Sequence, residues 1–282
     1  MVRHGANALH VRLHRRAARA RRFRRGDALC VRRHALARRG ARRARQPPAR
    51  DALRRGVAAL SGRALVLSPH LDDAVLGCGD WLARHPGSTV ATVFAGSPGP
   101  RAALTDWDAR AGFRPGDDVV ALRRAEDAAA LRELRARPLW LAFRDAQYAP
   151  PPPRDAVARE IARSVRVLAA ACVVMPLGLF HSDHLLVREA ALEARARAGA
   201  RRWLVYADAL YRALPDLEAD ALAALAARGH VLVPLAAPRT PASACKRAAV
   251  ARYASQLHAL ATPGRPGHAD AFEPERLFEL EA

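Results

Sequence analysis

Hydrophobic positions along the chain alternate between two patterns. Short runs with little polar interruption occur at 64–68 (ALVLS), 89–95 (TVATVFA), 139–143 (LWLAF), 171–175 (ACVVM), 203–206 (WLVY) and 231–235 (VLVPL). Their length, and the Arg, Gly or Pro that bounds most of them, predict buried strands. Between them lie stretches with helical spacing at 74–83, 119–135, 154–170, 184–198 and 243–257. Strands alternating with helices predict an α/β fold: a three-layer, Rossmann-like, largely parallel sheet with helices on both faces and right-handed crossovers. Ligands of such sheets collect at the carboxyl ends of the strands. Residues 149–153 (APPPP) form a rigid loop after one of those ends. There is no internal repeat.

Composition changes this picture mainly at the N-terminus. With 282 residues, 51% of them hydrophobic, the chain can bury a sizeable core. The net charge of +20 is concentrated: residues 1–55 hold 19 Arg against Asp27 and Asp51, a net +17, which leaves +3 for the remainder. The expected organisation is therefore an Arg-rich basic extension over 1–58, outside the folded domain, and a nearly neutral domain over 59–282. The extension has few branched apolar residues and cannot bury a core alone. Three readings compete for it: a nucleic-acid or membrane-surface arm, a targeting segment, or upstream sequence of a GC-biased gene translated from too early a start, which is the one favoured. Arg21-Arg22-Phe23 is followed by Arg24 and Arg25 rather than an apolar segment, so an export signal is not expected. The longest apolar run of the domain, 167–180, is interrupted by Pro176 and Gly178 and is short for a bilayer. Cys30, Cys78, Cys172 and Cys245 lie far apart with no C-x-x-C pair, which fits a reducing, cytoplasmic location without a cysteine metal site. Cys78, between two glycines, reads as a packing residue.

Candidate chemistry is concentrated at two strand ends. After the first run comes Ser68-Pro-His-Leu-Asp-Asp73, and after the fourth comes His181-Ser-Asp-His184. His70 and Asp73 stand three apart on a turn entering a helix, so both can face one point above the sheet, with Asp72 close by. Together the ends offer three histidines and three carboxylates. Nitrogen and oxygen donors without sulfur suit zinc, iron or manganese, and three protein ligands with one position open define a catalytic site. Singly, Asp72 reads equally well as a helix cap. H-x-x-D and H-x-x-H on two strand ends of one sheet are hard to explain by capping.

The pair Pro69-His-Leu-Asp-Asp73 and His181-Ser-Asp-His184 resembles the signature of the PIG-L/LmbE-like family of zinc-dependent N-acetylglucosaminyl deacetylases. Gly77-Cys78-Gly79, Arg123-Arg-Ala-Glu126, Asp145, Lys246 and Tyr253-Ala-Ser-Gln256 follow in the family's order, so the resemblance spans about 63–258. It implies that His70, Asp73 and His184 bind one zinc ion, and that Asp72 is the general base. It further implies that protonated His181 stabilises the oxyanion, with Asp183 orienting that imidazole, and that Arg123 and Asp145 contact the sugar. The implied reaction is hydrolysis of an N-acetyl group from an N-acetylglucosaminyl-type glycoconjugate, giving amine and acetate. Leu71, Ala74 and Asp80 depart from the family's usual proline, glutamate and glycine, and none of them removes a ligand.

Two other functions remain open from the sequence. One keeps the metal and changes the bond, making the chain an amidase on a non-sugar amide. The other is a silent α/β module whose arm at 1–55 binds nucleic acid, which the low aromatic content of 5% supports poorly.

Overall fold

The computed structural model describes residues 64–99, 103–200, 202–236, 242–265 and 267–281. The basic extension expected over 1–58, and the start of the domain placed at 59, lie outside the described residues.

Seven strands form one sheet in the order β3-β2-β1-β4-β5-β7-β6. They are β1 (Ala64–Ser68), β2 (Thr89–Thr92), β3 (Arg137–Trp140), β4 (Cys172–Pro176), β5 (Arg202–Tyr206), β6 (Leu232–Pro234) and β7 (Leu277–Leu280). The first five in space are mutually parallel, while β7 runs antiparallel to both β5 and β6. Side chains alternate between the faces as the pleat demands. Leu65, Leu67, Val173, Met175 and Val205 enter one core, and Val66, Cys172, Val174, Leu204 and Tyr206 enter the other. Helices α4 (Arg154–Val167) and α5 (Ser182–Ala198) cover the first face. Helices α1 (Asp73–Arg84), α3 (Val119–Glu133) and α7 (Ala244–Val250) cover the second. The three-layer, largely parallel sheet expected from the sequence is the observed architecture.

The elements differ from expectation in four places. β3 begins at the exposed Arg137 and Pro138, which an edge strand tolerates because only one of its sides is paired. β7 and α6 (Leu217–Ala227) were not expected: β7 is short and carries Glu279, and in α6 only Leu225 is buried. A short α2 (Asp106–Arg110) sits in the loop after β2. The helix expected over 243–257 is two, α7 and α8 (Ala254–Leu260). It breaks because Glu126 of α3 takes the amide and hydroxyl of Ser255 at 2.9 and 2.6 Å, giving α8 its own N-terminal cap.

Close packing accounts for the glycine-rich start of α1. A Cβ on Gly77 would lie 2.6 Å from the Tyr206 ring, and one on Gly79 would press on the buried stem of Lys246 at 3.0 Å. α1 is kinked at Cys78, and the amides of Asp80 and Trp81 beyond the kink donate to Glu275 at 2.6 and 2.9 Å. Glu275 is held in turn by Lys246 Nζ at 2.8 Å. Cys78 is buried, as a packing residue should be.

Candidate metal centre

The strand order makes the site. β1 and β4 are neighbours whose chains leave the sheet in opposite directions, β1 toward β2 and β4 toward β5, so a crevice opens beyond their carboxyl ends. Ser68 closes β1: its hydroxyl donates to His70 C=O at 2.7 Å and accepts from Ala74 N–H at 2.9 Å, pinning the turn that carries His70, Asp72 and Asp73. Gly178 bends the loop after β4, with φ +76, where a Cβ would lie 3.0 Å from the His184 carbonyl. Its amide donates to Asp208 at 2.8 Å. α5 then begins at Ser182, with His181 as N-cap and Asp183 and His184 in its first turn.

One carboxylate oxygen joins the two motifs. Asp73 Oδ2 lies 3.2 Å from His70 Nδ1 and 3.2 Å from His184 Nε2. The outward nitrogens of the same rings meet other carboxylates: His70 Nε2 is 3.0 Å from Asp183 Oδ2, and His184 Nδ1 is 2.6 Å from Asp208 Oδ1. This donor set fits a divalent cation. His70, Asp73 and His184 offer ligand atoms within 4.8 Å of one another, and each imidazole has its outer nitrogen fixed by an acid, which sets tautomer and ring orientation. His70, His181 and Asp183 form a second, overlapping triad within the same limit. Burial alone would depress the pKa of both histidines. Asp183 and Asp73 hold His70 well above the ordinary imidazole value, and Asp73 and Asp208 hold His184 at about 9. Burial also works against Asp73, but the two imidazoles hold its carboxyl well below the usual range.

Asp72 behaves differently from its neighbour. It occupies the N-cap position of α1, yet its side chain makes no capping bond. Burial, and then the charge of Asp73, push its pKa up to about 7.

Two expectations about the second motif are corrected. The Asp183 carboxylate hydrogen-bonds His70 and the Ala146 amide, at 3.0 and 3.2 Å, and only the Asp183 backbone amide, not its carboxylate, meets the His181 imidazole. The reason is its place in the first turn of α5, which aims the carboxylate across the crevice toward β1. His181 was expected as an imidazolium. Burial, and then the nearby His70 and His184, lower its pKa, and its Nδ1 accepts the Asp183 amide at 3.2 Å. A neutral ring with Nδ1 accepting carries its proton on Nε2, so it remains a donor.

Arg123 and Asp145 flank the cluster. Arg123 is buried, pairs with Asp108 at 2.9 Å, and faces the Phe113 ring at 5.3 Å; its Nε and Nη2 have no protein partner among the described residues. Asp145 closes its own loop by accepting the Gln147 amide at 2.9 Å, and its other oxygen stands 3.7 Å from His70 Nε2. Tyr148 donates to Asp108 at 2.8 Å. A cavity of about 180 Å³, lined in part by Asp108, Val119, Val120 and Tyr148, lies beside this group rather than over the histidines. Sequence reasoning missed Asp108 and Asp208. Asp208 follows a predicted strand by two residues, which is the one signal that pointed to it.

A family model described as PIG-L, GlcNAc-PI de-N-acetylase, matches residues 65–195, a span that opens in β1 and closes in α5 and so includes both motifs. Residues 65–195 are a PIG-L domain. Solved structures agree. The chain is similar to the zinc-inhibited form of teicoplanin deacetylase Orf2, with 25% identity and a TM-score of 0.63 over 78% of this chain and 98% of that one. It is also similar to the A40926 pseudoaglycone deacetylase Dbv21, with 28% identity and a TM-score of 0.62 over 78% and 97%. A deacetylase–teicoplanin complex aligns at 26% identity and a TM-score of 0.57, over 77% and 98%. No curated protein sequence matches significantly. None of the described helices is long and apolar enough to cross a membrane.

Proposed function

We propose that this PIG-L domain hydrolyses the N-acetyl group of an N-acetylglucosaminyl-type conjugate, with zinc as its metal. The observation that carries the reading is the division of labour between two adjacent carboxylates: Asp73 contacts both histidines, while Asp72 makes no capping bond and has a pKa near 7. A general base works best when its pKa lies near the operating pH.

In this reading His70, Asp73 and His184 hold the cation, while Asp183 and Asp208 orient the two imidazoles. A cation held there would supply Lewis acidity for amide hydrolysis. Asp72 takes the proton of the attacking water as its oxygen bonds to the amide carbon, and returns it to the nitrogen as the C–N bond breaks. Acetate and a free amine result. His181 Nε2–H donates to the carbonyl oxygen as charge develops there. The unpartnered N–H groups of Arg123 serve a substrate hydroxyl, because buried guanidinium donors left unmet in the protein are costly unless a ligand meets them. Asp145, within reach of His70, is the second sugar contact. The teicoplanin and A40926 pseudoaglycone deacetylases favour a glycosylated natural product as the conjugate. The domain is proposed to begin near residue 59, and the free Cys78, Cys172 and Cys245 fit a cytoplasmic location.

The test is amine release from a panel of N-acetylglucosaminides and simple acetamides by the metal-loaded protein. Turnover confined to the glucosaminides supports the proposal. Turnover of the simple amides alone replaces it with a non-sugar amidase.

A further inference from the structure

Phe180 and Tyr211 form an aromatic step at the rim of the crevice that none of these roles uses. Phe180 directly precedes His181 and is 66% exposed. Its ring stacks on Tyr211, with centroids 5.3 Å apart and planes inclined by 23°, and Tyr211 meets the His184 ring edge-on at 5.4 Å. The free face of Phe180 therefore lies two ring widths from the proposed metal ligand.

Both rings are held where the backbone resists. Phe180 has φ +60, and the His181 amide donates to the Leu179 carbonyl at 2.6 Å, closing a three-residue turn around it. A bulky residue in the left-handed region is an outlier that persists only where its surroundings enforce it. Leu210, just before Tyr211, has φ +72. Asp270 grips both neighbours of Tyr211, accepting from the Leu210 amide at 2.8 Å and from Arg212 Nε at 3.0 Å. Tyr211 is thus locked from either side and gives Phe180 a rigid backing. Burial of the Phe180 face would favour folding, yet the face is turned to solvent.

We infer that the Phe180–Tyr211 pair is a platform on which an aromatic ring of the substrate's aglycone stacks. The inference rests on the deacetylase reading and extends it to the substrate class. Phe180 presents a flat, exposed face and no hydrogen-bonding group, and Tyr211 already stacks on its other side, the arrangement that a further aromatic ring extends. Offset stacking on a ring already fixed in place adds affinity without the cost of ordering it.

The experiment compares kcat/KM for phenyl and methyl β-N-acetylglucosaminides and for N,N'-diacetylchitobiose. The proteins are the metal-loaded wild type, Phe180→Gly, Phe180→Asn and Phe180→Trp. The bond cleaved is the amide, so the phenyl group is not a leaving group and reports only on binding. Gly and Asn both accept a left-handed φ, and metal content with a melting curve checks that each variant is folded. Wild type is expected to prefer the phenyl over the methyl glycoside by roughly three- to ten-fold. Phe180→Gly and Phe180→Asn should bring that ratio near one, and Phe180→Trp should preserve it. A wild-type ratio near one, or a ratio unchanged in Phe180→Gly, overturns the platform and leaves the deacetylase reading intact. A ratio that responds only with chitobiose overturns the aromatic assignment. Wild type that cleaves none of the three overturns the deacetylase reading itself.

Discussion

The Asp208 carboxylate lies 2.6 Å from Nδ1 of His184, and the far side of that ring places Nε2 3.2 Å from Asp73. One acid after β5 therefore sets the tautomer and direction of a side chain in α5. Removing such a partner of a metal-binding imidazole typically costs about 10- to 100-fold in metal affinity. Asp208→Ala is expected to show that loss in a chelator competition titration while its fold, read by circular dichroism, survives. Unchanged affinity would mean that His184 does not hold the metal through Nε2.

The adjacent carboxylates give a second, paired prediction. Asp72→Asn keeps the shape of the side chain but cannot take a proton from water at neutral pH, so it should retain metal and lose about 10²- to 10⁴-fold in kcat. Asp73→Ala and His184→Ala should lose metal and rate together. His181→Ala should keep metal and lose about 10²- to 10³-fold in kcat. Metal content measured beside turnover separates the cases, and metal loss in Asp72→Asn with retention in Asp73→Ala would reverse the two roles.

Metal binding should release protons. At neutral pH His184, with a pKa of about 9, is protonated in the metal-stripped protein, and His70 is also held well above its ordinary value. A cation needs both imidazoles neutral, so its affinity should rise with pH up to about 9. Stability of the metal-stripped protein should move the opposite way. The raised His184 pKa contributes fully below its ordinary value of 6.5, and that contribution is lost as pH climbs through about 9. Calorimetric titrations in buffers of different ionisation enthalpy count the protons, and melting curves across the same window test the second trend.

Lys246, the only lysine of the chain, is fully buried against Glu275, which also accepts two amides of kinked α1. Lys246→Ala strands a buried carboxylate and should cost about 3–5 kcal/mol in urea unfolding. Lys246→Met combined with Glu275→Gln should cost less than the sum of the single changes. Strict additivity would show that the pair is not coupled.

Much of this was legible along the chain. Apolar runs the length of strands, spaced by amphipathic stretches, are set by local periodicity, and they led to the α/β layers without any knowledge of contacts. H-x-x-D and H-x-D-H at strand ends likewise placed His70, Asp73 and His184 on the correct edge of the sheet. Periodicity carries no information on which strands are neighbours. Only the order β2-β1-β4-β5 brings His70 against Asp183, 113 residues away, and makes two strand ends one crevice. The same packing decided that the Asp183 carboxylate serves His70 rather than His181, because helix direction aims a first-turn side chain. It also brought in Asp108 and Tyr211, whose local sequence carries no spacing signal, and Asp208, marked only by its place two residues beyond a strand. The break between α7 and α8 was decided by a carboxylate from another helix, Glu126, taking an amide that the local sequence alone would have left to the helix. Residue types and local periods are properties of the chain itself. Which donor meets which acceptor depends on how the layers close over the sheet.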